Sequence, residues 1–170
     1  PEPEVVRLEP TGGPIYPGNT FVVVHGPEFL SGSDYRCKFG DDIVRAVFKG
    51  DGNLTCTSPP RVSAEDVSVE VTMNGQQYSR SAVRFAYHEP ETVIRLSPSS
   101  GLITGSTVVR VLGSGFVATG ELAVCLRLRG VERRVPATFI SEGEVRFLAP
   151  GFAEAGDAKL TLSLNGQDYE

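Results

Sequence analysis

Hydrophobic and polar residues alternate strictly along Val67-Ser68-Val69-Glu70-Val71-Thr72-Met73, and again along Lys159-Leu160-Thr161-Leu162-Ser163-Leu164. Successive side chains of a strand leave on opposite faces. Period two therefore puts Val67, Val69, Val71 and Met73 on one face and Ser68, Glu70 and Thr72 on the other. In Thr107-Val108-Val109-Arg110-Val111, Val109 and Val111 likewise point away from Arg110. No window of a dozen residues carries the stripe of an amphipathic helix. Short runs rich in Val, Thr, Phe and Tyr, punctuated by Gly, Pro, Asn and Asp, predict strands over 5–9, 20–25, 35–39, 44–48, 54–57, 67–73 and 83–87. A second set covers 93–97, 107–112, 122–127, 133–139, 144–148 and 158–164. The expected class is all-β, as tandem immunoglobulin-like β-sandwiches, each with two packed sheets. Asn74-Gly75 and Asn165-Gly166 each follow an alternating strand and read as tight hairpin turns into the final strand.

The pattern is written twice. Arg7-Leu8-Glu9-Pro10 returns as Arg95-Leu96-Ser97-Pro98, 88 positions on. Asn19 to Gly26 returns as Ser106 to Gly113 at 87, and Phe29 falls on Phe116. Cys37 is set against Cys125 at 88. Leu54 to Pro59 is set against Val145 to Pro150, and Met73 to Tyr78 against Leu164 to Tyr169, both at 91. Conserved order with a drift of a few positions is what loop insertions produce. The expected domains are 1–88 and 92–170, joined through His88-Glu89-Pro90-Glu91. Ser79 to Tyr87 has no counterpart before Glu170, so the second copy is expected to lack its last strand and to expose the neighbouring edge.

Composition narrows the function. Acidic residues number 21 against 16 basic, a formal charge of −5, which argues against a nucleic-acid surface. No apolar run approaches the roughly 20 residues of a membrane-spanning helix. The opening Pro1-Glu2-Pro3-Glu4 is no signal peptide, and the chain reads as a piece of a longer polypeptide that is membrane-anchored, if at all, outside this segment. Two His, three Cys and no Trp leave little material for catalysis or metal binding. His25 aligns with Leu112 in the repeat, which favours packing over chemistry. Asp34, Asp41, Asp42 and Asp51 lack the spacing of a calcium loop, and no Cys-x-x-Cys exists for zinc. The expectation is no enzyme, no cofactor and no metal. Arg127, Arg129, Arg133 and Arg134 around Gly130-Val131 form a candidate basic interaction patch.

Cys37 and Cys56 lie in predicted strands, and a disulfide between them is one reading. Two separate buried thiols in a reducing compartment is the other. Cys125 reads as a buried small hydrophobe. Asn53-Leu54-Thr55 is the chain's one glycosylation sequon, expected in an exposed turn after Gly50-Asp51-Gly52.

Cys37-Lys38-Phe39-Gly40, then Leu54-Thr55-Cys56-Thr57-Ser58-Pro59-Pro60, Val69-Glu70-Val71 and Asn74-Gly75-Gln76-Gln77-Tyr78, resemble the IPT/TIG domains. So does the opening, with Pro10, Gly12-Gly13 and Gly18 ahead of Thr20 to Gly26 and Phe29. The second copy departs at Phe147, at Ala149-Pro150-Gly151 and at Leu126-Arg127. The resemblance implies an immunoglobulin-like fold of the kind found in plexins and related surface receptors, in protist and algal surface proteins, in some transcription factors and in starch-acting enzymes. It implies an extracellular form for the first copy, with its cysteine pair. The expected function is a non-catalytic module pair of a cell-surface or secreted protein, in adhesion, ligand recognition or spacing, with protein partners or neighbouring domains. The alternatives are an intracellular scaffold or dimerisation module of the transcription-factor type, and an accessory module of a carbohydrate-acting enzyme.

Overall fold

The computed structural model describes residues 2–27, 29–30 and 32–169, and every regular element among them is a strand. The chain divides into two compact units, Pro1–Glu89 and Pro90–Glu170.

Unit 1 contains β1 (Arg7–Glu9), β2 (Gly12–Pro14), β3 (Phe21–His25), β4 (Arg36–Phe39), β5 (Asp42–Arg45), β6 (Val47–Gly50), β7 (Asn53–Thr57), β8 (Asp66–Thr72) and β9 (Arg84–His88). One sheet has the order β1-β3-β7-β6 and the other β2-β9-β8-β4-β5. All pairings are antiparallel except β2 with β9. The stretch 44–48, expected as one strand, breaks at Ala46. Its two halves serve different sheets, β5 pairing with β4 and β6 with β7. The Ala46 N–H donates to the Tyr35 carbonyl at 3.0 Å, outside either ladder.

Alternation becomes burial between the sheets. Val22, Val24, Leu54 and Cys56 from one sheet meet Cys37, Phe39, Val69, Val71 and Phe85 from the other. Each such apolar side chain contributes about 1.5–3 kcal/mol when fully buried. Phe85 stands edge-on to Phe39, with ring centroids 5.4 Å apart, and to Tyr87 at 5.0 Å. Gly13 is needed for close approach, since a Cβ there would overlap the Thr20 hydroxyl and press on Phe85.

Unit 2 contains β10 (Thr92–Ser97), β11 (Val108–Ser114), β12 (Ala123–Leu128), β13 (Val131–Ser141), β14 (Glu144–Leu148) and β15 (Lys159–Ser163). They form one antiparallel sheet in the order β10-β11-β14-β13-β12-β15. The long β13 pairs with β12 up to Pro136 and with β14 from Ala137 onward. Pro136 has no N–H for a ladder, which suits the point where pairing changes sides. The two halves then enclose a core in which Val109, Val111, Val145 and Phe147 meet Val124, Leu126 and Leu162.

The registers settle which residues correspond. Cys37 lies opposite Val71 and Phe39 opposite Val69. Val124 lies opposite Leu162 and Leu126 opposite Leu160. Val69 and Val71 correspond to Leu160 and Leu162, so Cys37 corresponds to Val124, and Cys125 corresponds to Lys38. The expected Cys37–Cys125 match is one residue out. In a strand a slip of one residue exchanges the two faces. Val22 opposite Cys56 and Val109 opposite Phe147 confirm the other pairing. Unit 2 thus replaces both inner cysteines of unit 1, by Val124 and Phe147.

The Asn-Gly turns also differ from expectation. Gly75 (φ 73°) and Gly166 (φ 72°) take positive φ, whereas Asn74 and Asn165 do not. Asn74 Oδ1 accepts the N–H groups of Gln76 at 2.9 Å and Gln77 at 3.0 Å. Asn165 Oδ1 accepts those of Gln167 at 2.9 Å and Asp168 at 2.8 Å. Both are side-chain-capped turns, and in unit 1 the turn lies inside a longer loop, residues 73–83, between β8 and β9.

Candidate functional site

The fold of unit 1 places two thiols in its core. Cys37 on β4 and Cys56 on β7 are buried in the middle of unit 1, on facing sheets, as free thiols. A hydrogen bond between them, with burial, pushes the Cys37 thiol well up. A thiol held protonated is a poor nucleophile.

Cys125 lies on the opposite face of its strand from Val124 and Leu126, yet it is buried. It lines a hollow of about 210 Å³ with Arg127, Glu132, Arg134, Lys159 and Tyr169. The Arg134 guanidinium sits 5.1 Å from the Tyr169 ring centre. In unit 1 the corresponding Tyr78 lies 5.9 Å from the Lys38 ammonium. The same outer face thus carries a cation-on-tyrosine platform in each unit. Burial raises the Tyr169 hydroxyl, with the Arg134 charge opposing.

The expected arginine patch is divided by the pleat. Arg127 and Arg134 share the outer face with Cys125, while Arg129 and Arg133 lie with Leu128, Val131 and Phe152 around another hollow. Two carboxylates, Glu132 and Glu154, engage three of the four arginines. Arg127 is paired with Glu132, Arg134 lies 3.7 Å from the same carboxylate, and Arg129 is 2.6 Å from Glu154. The Arg127 hydrogen bond holds the Glu132 carboxyl below its usual range.

Asn53 opens β7, half-buried, opposite His25 and Gly50, and does not sit in the exposed turn that precedes it. The turn occupies Asp51 and Gly52; pairing with two strands draws Asn53 into the ladder. His25 Nε2 lies 3.1 Å from Glu9 Oε2, and His88 Nδ1 lies 3.3 Å from the Glu89 carbonyl. Asp34 is engaged by Arg36 at 2.6 Å and Asp42 by Arg61 at 3.2 Å. Among the described residues no three His, Cys, Asp or Glu side chains gather as a metal site.

One cluster escaped the sequence reading. Glu144 takes Arg110 Nε at 2.9 Å and Arg146 Nε at 2.7 Å. These two hydrogen bonds hold its carboxyl at about 2. The signal was the cross-strand pairing of Arg110 with Arg146, which only the register supplies.

The profile of the IPT/TIG domain matches residues 3–87. Plexin-A3 of Rattus norvegicus is 25% identical over 150 residues, covering 88% of this chain and 8% of that protein. Plexin-B2 of Mus musculus is 23% identical over 176 residues, covering 92% of this chain and 9% of that protein. This chain therefore spans under a tenth of the length of these relatives. A solved structure of the full extracellular region of plexin A4, domains 1 to 10, superposes with a TM-score of 0.64 at 22% identity, covering 91% of this chain and 13% of that one. The profile spans unit 1 from Pro3 through the aromatic pair of β9, and the chain belongs to the IPT/TIG domain family.

Proposed function

We propose that the chain is a non-catalytic pair of immunoglobulin-like modules from a larger cell-surface or secreted protein, working in adhesion, ligand recognition or spacing. The pair is extracellular. Unit 2 is a second IPT/TIG copy. The observation that supports this most is the similarity to plexins, which runs through both units at 88–92% of the chain. Cys37 and Cys56 form a disulfide between the sheets of unit 1, and Asn53 carries a glycan. Protein partners bind the outer face of β12, β13 and β15, where Arg127, Arg134 and Tyr169 supply the arginine and aromatic groups favoured at interfaces. Arg129 and Arg133 serve the adjoining surface.

Thiol counting on the chain secreted from a eukaryotic cell tests the reading. Under denaturing, non-reducing conditions one free thiol of the three is expected. Three free thiols in the secreted, folded chain would favour the intracellular scaffold instead.

A further inference from the structure

Arg110 on β11 and Arg146 on β14 lie directly across the ladder from each other, on the outer face of unit 2. Like charges directly opposite one another destabilise a sheet. The fold does not call for them: the corresponding pair in unit 1 is Val23 opposite Thr55. Glu144 holds the two arginines from beneath, its side chain 13% exposed against 46% for each of theirs. Arg110 spends Nε and Nη2 on that carboxylate, at 2.9 and 3.0 Å. Arg146 spends Nε at 2.7 Å and, among the described residues, keeps both Nη groups for another acceptor. Two guanidinium charges therefore share one carboxylate, and the excess positive charge faces outward. Arg95 on β10, opposite Leu112, is exposed and adds to it.

The same face is apolar on either side of this charge. Val109 and Val111 of β11 are buried, so alternation sends Val108, Arg110 and Leu112 outward. Val108 is 57% exposed, and Leu148 across the ladder from it is 54% exposed. Leu112 is half-buried. Along β11 the outer face thus reads apolar, basic, apolar, in steps of two residues or about 7 Å. An extended segment presents its own alternate side chains at that same step. Its complement has the form aliphatic–any–acidic–any–aliphatic.

We propose that the outer face of β11 and β14 is a docking site for an acidic protein segment of this form. The segment's carboxylate meets the Nη groups of Arg146 and Arg110 in charge-assisted hydrogen bonds. Its two aliphatic side chains cover Val108 with Leu148 on one side and Leu112 on the other. Charge complementarity selects the acidic residue. A polyanion would use the arginines alone, whereas arginine set among aliphatic side chains suits the contact surface of a protein. These strands are not those that carry Arg127 and Arg134, so the site is a second face of unit 2.

The test titrates a synthetic peptide, Ser-Leu-Ser-Glu-Ser-Leu-Ser with blocked ends, into the whole 170-residue chain, isotope-labelled for NMR. The peptide reads the same in both directions, so either chain direction presents the motif. Amide shifts report both affinity and place. Saturable shifts are expected along β11 and β14. Lysine in place of the peptide's glutamate, or Arg146→Glu in the chain, raises the dissociation constant at least about tenfold. If Arg146→Glu fails to fold, Val108→Asp takes its place with the same expected loss. Lys49→Glu, the same charge change at an exposed position of unit 1, leaves binding unchanged. No saturable shifts, equal binding of the lysine peptide, shifts centred on β12 and β15, or loss of binding with Lys49→Glu would overturn the proposal. So would heparin shifting the β11 and β14 amides where the peptide does not, which would assign the face to a polyanion.

Discussion

A bridge between Cys37 and Cys56 would tie the two sheets of unit 1 at the centre of its core. Oxidation closes a segment of 20 residues, counting both ends. The loop-entropy relation assigns about 3 kcal/mol to a loop of this size, acting mainly on the unfolded chain. A domain of 60–100 residues shifts its melting temperature by about 4–8 °C per kcal/mol. The oxidised form of unit 1 should therefore melt about 12–24 °C above the reduced form. Unit 2 provides the internal reference, because Val124 and Phe147 stand where the bridge would be. Scanning calorimetry on the same preparation before and after reduction reads both transitions. The expected result is one transition that falls on reduction and one that stays. The double variant Cys37→Ala/Cys56→Ala should be insensitive to reductant. If the secreted chain melts identically in both redox states, the cross-link role of these cysteines is wrong.

Two further outcomes follow from the packing and the charges. Phe85→Ala removes a fully buried ring between Phe39 and Tyr87, and should destabilise unit 1 by about 3–5 kcal/mol; a loss under about 1 kcal/mol in urea unfolding would contradict this account of the core. Glu144 has its folded carboxyl lowered to about 2 by Arg110 and Arg146. Its stabilisation is thus complete above the ordinary carboxylate range near about pH 4.3 and fades as pH falls toward 2. The melting temperature of Glu144→Gln should lie below wild type at neutral pH and converge with it in acid. A constant gap down to pH 2 would refute the pairing.

Much of this protein could be read from its one-dimensional pattern. Period-two alternation identifies strands because a pleated backbone sends neighbouring side chains to opposite faces, a local property. Val67, Val69 and Val71 are buried as that rule requires. The internal repeat and the IPT/TIG resemblance were equally local, carried by short strings such as Leu54 to Pro60. Which residue opposes which is not local. Cys125 looked like the partner of Cys37 because two rare residues fell at nearly the same spacing. The ladder with β15 puts it one position away, on the other face. The same pleat divided four neighbouring arginines between two surfaces and brought Arg110, Glu144 and Arg146 together from separate strands. Ala46 and Pro136, where pairing passes between strands, carry no periodic signal.

Alternation and turn residues are written along the chain, and by themselves they determined the all-β class and most of the buried positions. Register and face depend on hydrogen bonds between residues far apart in sequence. Those were decided only when the sheets paired, because a shift of one residue leaves the composition of a strand unchanged while reversing every side chain it presents.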